Sequence, residues 1–295
     1  MTKPGELSPY GALPVPHVTP EHIGLIRTGK VYSLAVVHEE GIPVPGPMVP
    51  YTLSPRLRHG DLGDITPASA AAEVVTMAAH TGTHIDALCH IGERQHENGD
   101  ADPSGEVRLF NGEGQTVKAA DCVDFRGQKH LSIAEMPPIV TRGVLVDVAG
   151  SLGVDVLPDA YVISGSDVQD ALARQGTTVT PGTAVLIRTG FYQHLASGNH
   201  RTYADAIAGI GLEAAKWLHK QGMILAGADN MTVEAFPPLD HAVHRYLLVH
   251  HGVTHLENLY LEQLAAERVY EFLLMVAPLR LHGATGSWVH PIAIA

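Results

Sequence analysis

RGVLVDV (142–148), SDVQDALARQG (166–176), TAVLIRTG (183–190), GLEAAKWLHKQG (211–222) and MILAGAD (223–229) follow one another as strand, helix, strand, helix, strand. The first, third and fifth runs are short, apolar and rich in β-branched residues, the composition of strands. The second and fourth carry helix formers, and the second has Ser166 or Asp167 as its candidate cap and Gly176 as its stop. Alternation of this kind indicates an α/β architecture.

Working outward, VYSLAVV (31–37) is an apolar run, followed by the Pro/Gly-rich loop GIPVPGPMVP (41–50), which reads as a connector or a lid. AAEVVTMAAHTGTHIDALCHIG (71–92) reads as a strand that ends in a cluster of histidines. Beyond the central alternation, LDHAVHRYLLVHHG (239–252) looks helical, with Asp240 as its cap and Gly252 as its stop, and LYLEQLAAE is a further short helix. VYEFLLMVAPLRL and SWVHPIAIA are extended, the last expected to enter the sheet. With no repeat or low-complexity tract, residues 1–295 read as one domain, with 1–30 as an N-terminal extension.

Composition narrows the function. The 295 residues are 45% hydrophobic, enough for a sizeable core. No run reaches the roughly 20 apolar residues of a membrane span, and MTKPGELSPYG lacks the apolar segment of a signal peptide, so a cytoplasmic location is expected. A net charge of −12 without any Lys/Arg-rich run argues against nucleic acid and for a small-molecule partner. Cys89 and Cys122 are too few for a disulfide framework. The 19 histidines, as many as lysine and arginine together, raise a metal hypothesis without locating it.

Spacing locates it. In HTGTHIDALCH (80–90), His80, His84, Asp86 and His90 all fall on even positions, which puts them on one face of a strand. A fully extended strand would hold the outer two about 33 Å apart at roughly 3.3 Å per residue, so the chain must bend, and Gly82 permits it. His80, His84 and Asp86 are then expected to converge on one divalent ion. Two imidazoles and a carboxylate leave coordination positions open, as a catalytic metal requires. Cys89, on the opposite parity, reads as a buried structural thiol.

HTGTHIDALCH resembles the HxGTHxDxxxH signature of the cyclase family of metal-dependent hydrolases, which includes kynurenine formamidases and isatin hydrolases. The similarity extends to VLIRTG (185–190), GLEAAKWL (211–218), GADN (227–230), GVTHLENLYLEQL (252–264), VYEFLLMVAPL (269–279) and GATGS (283–287). It implies a swivelling β/β/α fold assembled as homodimers or homotetramers. It also implies that His244 and Glu257 complete the site, either beside one manganese or with His90 around the second of two zinc ions, Asp86 bridging. Leu88 and Trp288 stand where the formamidase type has proline, which points toward a different branch of the family.

The implied reaction is metal-assisted hydrolysis of an amide, lactam, formamide or lactone, in which the Zn2+ or Mn2+ activates water and polarises the carbonyl. His90 or His244 would carry the proton to the leaving nitrogen, with Glu257 as a further ligand or an orienting group. Two histidines and a carboxylate also describe a non-haem iron oxygenase, and a non-catalytic metal-binding protein is the third reading. Phe191, Tyr192, Tyr51 and Trp288 are candidates for an aromatic pocket or for ordinary core.

Overall fold

The computed structural model describes residues 10–63, 66–95, 101–237 and 240–295. Nine strands form the main sheet: β1 (Val31–Ser33), β2 (His84–Asp86), β3 (Ile139–Asp147), β4 (Thr183–Arg188), β5 (Met223–Ala228), β6 (Thr254–Glu257), β7 (Glu271–Val276), β8 (Gly286–Trp288) and β9 (Ile292–Ile294). Their order across the sheet is β1-β9-β7-β3-β4-β5-β6-β2-β8. The central four, β3 to β6, run parallel, and antiparallel strands flank them on both sides. Every residue of β4 and of β5 is buried, so both read as continuous apolar runs without alternation.

Helix α1 (Gly165–Gln175) connects β3 to β4 and packs on helix α2 (Leu212–Lys220), which connects β4 to β5. Val168, Ala171 and Leu172 of α1 and Ala214, Ala215 and Leu218 of α2 are buried at helical spacing. Each such valine or leucine contributes about 1.5–3 kcal/mol of apolar burial. The α/β alternation of residues 142–229 is therefore the observed architecture.

The cap of α1 differs from expectation. Ser164 holds it, accepting from the Asp167 N–H, while the Asp167 carboxylate accepts from the Ser164 N–H at 2.8 Å. The helix thus starts earlier than its apolar periodicity suggests, because this reciprocal box satisfies two N-terminal donors. Gly176 ends it in the left-handed region, as expected. Ser164→Ala is expected to lower stability by about 1 kcal/mol, visible as a lower denaturant midpoint with an unchanged slope.

Two further expectations are corrected. Residues 71–86 are not one strand: Ala72–Thr76 pairs with Thr52–Leu57 in a solvent-exposed ribbon, the chain then turns, and β2 begins only at His84. The segment 239–252 is not a regular helix, and Leu239 lies outside the described residues. His241, at φ 50°, precedes a short α-turn (Ala242–His244), and Arg245–His250 is π-helical. Asp240 accepts from the Ala242 N–H without occupying the cap position. Glu262–Ala266 is the expected short helix, and β9 is the expected C-terminal strand.

Tyr10 and Leu13, within the expected N-terminal extension, are buried against the body, and the Ala12 N–H donates to Gly252 O at 2.9 Å. Residues 1–9 of that extension lie outside the described residues. Among the described residues no helix is long and apolar enough to cross a membrane.

Candidate active site

Strand β2 is short because its work is local: it pairs with β6 on one side and β8 on the other, placing His84 opposite Glu257 and Asp86 opposite Gly286. His80 reaches the same place from the preceding turn. Gly82 makes that turn at φ +59°, and a Cβ there would lie 2.6 Å from the His38 ring. Gly286 admits the His80 ring, since its Cβ would sit 2.6 Å from the imidazole. Two glycines thus allow one histidine to swing back onto the strand that follows it.

The result is a buried cluster. His80 Nδ1 lies 2.8 Å from Asp86 Oδ1, and His84 Nε2 lies 3.5 Å from Asp86 Oδ1 and 3.3 Å from Glu257 Oε2. His244 Nε2 approaches Glu257 Oε1 at 3.4 Å and Asp86 Oδ2 at 4.0 Å. His255, which the sequence reading did not single out, projects from β6 beside Glu257, with Nδ1 4.0 Å from its Oε1. Two donor groups result, His80/His84/Asp86 and Asp86/His244/His255/Glu257, sharing Asp86. His90 belongs to neither group. Its ring stacks on His80 at 3.8 Å between centroids.

His255 had a signal: in THLE it stands two residues before Glu257, so a strand presents both on one face. Glu234 was also missed, and nothing in the spacing of MTVEAFPP marks it. Its carboxylate accepts from His244 Nδ1, from His241 Nδ1 at 3.2 Å and from the Val243 N–H at 2.8 Å.

Electrostatics follow from burial and from the mixture of charges. Burial disfavours charge on Asp86, yet His90, His80 and His84 hold its carboxyl well below the usual carboxylate range. Burial also opposes protonation of His84 and His244, but Glu257 with Asp86 outweighs it for the first, and Glu234 with Glu257 for the second, so both are raised. Burial pushes His90 down to about 4 and His255 down to about 3.

Among the described residues, His84 Nε2, Asp86 Oδ2, Glu257 Oε1 and both ring nitrogens of His255 are buried without a well-directed hydrogen bond. Each such orphan costs about 1–3 kcal/mol when nothing satisfies it. Imidazoles and carboxylates that aim lone pairs at a shared point suit a divalent metal, and this donor set fits one. His84 is further prepared for that role, because its Nδ1 donates to Gly82 O at 2.8 Å and leaves Nε2 as the donor toward the cluster.

Of the four aromatic candidates for pocket or core, only Phe191 is core; Tyr51, Tyr192 and Trp288 are half-buried. Phe191 is fully buried, and Tyr192 meets Tyr260 edge-on at 4.9 Å. Trp288 stands opposite His84 in the sheet, and its indole N–H donates to Ala78 O at 2.7 Å. Cys89 is buried, which pushes its thiol up to about 12, consistent with a structural role.

A mixed sheet flanked by helices and carrying a buried cluster of imidazoles and carboxylates defines a class, the α/β proteins with a candidate metal centre. A family model described as "Putative cyclase" matches residues 32–235, and the chain belongs to that cyclase family. A kynurenine formamidase of Bacillus cytotoxicus is 28% identical over 218 residues, which are 74% of this chain and 77% of that one. A crystal structure of a novel cyclase is 30% identical, with a TM-score of 0.84 over 98% of this chain and 96% of that one. Isatin hydrolase A of Labrenzia aggregata shares the fold at 20% identity, with a TM-score of 0.63 over 92% and 94% of the two chains.

Proposed function

We propose that this chain is a metal-dependent amidohydrolase that opens a non-peptide amide bond, linear or cyclic, in a small molecule. The observation that carries the reading is the convergence of His80, His84, Asp86, His244, His255 and Glu257 in two buried donor groups joined by Asp86. Membership of the cyclase family and similarity to a kynurenine formamidase support the same chemistry.

In this reading His80, His84 and Asp86 hold one Zn2+ or Mn2+, and Asp86, His244, His255 and Glu257 are the candidates for a second. Such an ion supplies Lewis acidity toward the amide carbonyl and a nucleophile from water at neutral pH. The chain's residues do the rest. Gly82 O and Glu234 fix the rings of His84 and His244 through their Nδ1 atoms, so that both present Nε2 to the cluster. Asp86 and Glu257 stay ionised, each shifted below its ordinary pKa. In this reading His90, stacked on His80, is the candidate for delivering a proton to the leaving nitrogen as the C–N bond breaks, its lowered pKa of about 4 favouring release of that proton.

The test is removal and return of metal. Chelator-treated protein is expected to lose turnover of N-formylkynurenine or isatin and to regain it with Zn2+ or Mn2+ at about one or two equivalents per chain. Turnover that survives complete removal of metal, or no turnover of any amide or lactone by the loaded protein, would overturn the reading.

The same proposal treats residues 1–295 as one functional unit that works as a homodimer or homotetramer in the cytoplasm. The exposed ribbon, with Leu53, Val74 and Val75 in solvent, offers an apolar surface for assembly, and both cysteines are unpaired, as in a reducing compartment. Light scattering checks the assembly state.

A further inference from the structure

The geometry points to a separate, non-catalytic metal site, in which Glu113, His219 and His251 bind a divalent transition metal of the Zn2+ type away from the catalytic cluster. One ligand atom from each of the three lies within 4.8 Å of the others. The three come from different parts of the chain. Glu113 is on the turn between the strands Glu106–Phe110 and Thr116–Lys118, His219 is in the last turn of α2, and His251 follows the π-helical turn.

The cluster is built, with each donor oriented by a neighbour. The turn bearing Glu113 is tied to the helix end by the Gly114 N–H, which donates to His250 O at 2.8 Å. His251 Nδ1 meets Glu113 Oε1, and His219 Nδ1 lies 3.3 Å from the Tyr246 hydroxyl, leaving each ring a second nitrogen. The two imidazoles lie 4.0 Å apart between centroids, with the Tyr246 ring edge-on to His251 at 4.4 Å. Two rings this close are stable when at least one is neutral, which is also the form that binds metal.

Two imidazoles and one carboxylate on three different elements match the ligand type that Zn2+, Ni2+ and Cu2+ prefer over Mg2+ or Ca2+. The donors open onto a 620 Å³ cavity whose other walls include Phe110, Leu131, Pro181 and Met223, so a solvent ligand can complete the coordination. That cavity contains none of the residues of the catalytic cluster. Its consequence is mechanical: an ion here ties the turn at residue 113 to residue 251, 138 positions away, and stabilises the folded form by mass action.

The experiment is a Zn2+ titration of the chelator-stripped protein, followed by calorimetry and elemental analysis, on wild type, His219→Ala/His251→Ala and Asp86→Asn. Wild type is expected to bind one equivalent more than the double histidine variant, and Asp86→Asn to keep that equivalent. Equal uptake by wild type and a folded double variant would overturn the site. Should the double variant fail to fold, Glu113→Gln replaces it. Its side chain is exposed, and it is expected to weaken the same equivalent about tenfold or more; unchanged affinity there would likewise overturn the proposal.

Discussion

Asp86→Asn is expected to yield a folded protein with kcat/KM at least about a thousandfold lower, roughly 4 kcal/mol of transition-state stabilisation, and with its catalytic metal lost. Asp86 is the residue common to both donor groups, so one substitution weakens both. The change is nearly isosteric, but it replaces an anion surrounded by His80, His84 and His90 with a neutral amide, half of which donates where lone pairs are needed. The fold should persist, because the Asp86 backbone carbonyl still accepts from the Thr254 hydroxyl and β2 still pairs on both sides. Elemental analysis beside steady-state kinetics and a thermal melt decides it. Wild-type metal content in the variant would show that the cluster is not the metal centre.

Glu234→Gln is the second large effect, an expected loss of about 10–100-fold in metal affinity with a parallel fall in activity. Glu234 touches no reacting group in the proposed site. It acts through His244, whose Nδ1 it holds while Nε2 faces Glu257 and Asp86. Glutamine keeps the shape and can still accept one hydrogen bond, but it loses the charge that makes the imidazole a stronger donor.

A merely structural role predicts a different pattern, and pH separates the two. His244, His241 and the Val243 N–H outweigh burial and push the Glu234 pKa below its ordinary 4.5. A depressed carboxylate contributes stability that is fully present above the unfolded pKa and disappears as pH falls through the folded one. Wild type should therefore lose stability progressively below about pH 4.5, with a shallower loss in Glu234→Gln. The metal affinity should differ between the two proteins even near neutrality. Equal metal affinity at pH 7 would reduce Glu234 to a packing residue.

Much was legible in the sequence because it was written locally. The strands at 142–148, 183–190 and 223–229 announce themselves by apolar runs, since strands buried on both faces need no polar alternation. His84 and Asp86 share a face because a strand repeats every two residues. The capping of α1 was misplaced because a box at Ser164 and Asp167 starts the helix ahead of its apolar periodicity.

What residues 71–86 do could not be read in this way. The β-branched run and the histidines look like one strand, but Ala72–Thr76 finds its partner in Thr52–Leu57, while His84–Asp86 finds partners in β6 and β8. Pairing partners are chosen by tertiary packing, to which local pattern is blind. The π-helical stretch at Arg245–His250 has the same origin, since its sequence is ordinary helix material.

By itself, then, the sequence determined the α/β class, the family signature and the metal character of HTGTHIDALCH, because these rest on residue type and short-range periodicity. Only the tertiary structure decided that β6 lies beside β2, which brings His255 and Glu257 against residues about 170 positions earlier. It also decided that Glu234 grips His244 and that His90 stacks on His80 instead of joining either donor group. The physical reason is that a metal cluster is an agreement among lone pairs in space. The chain places them through sheet order, through Gly286 and through the Glu234 carboxylate, none of which lies within the span of HTGTHIDALCH.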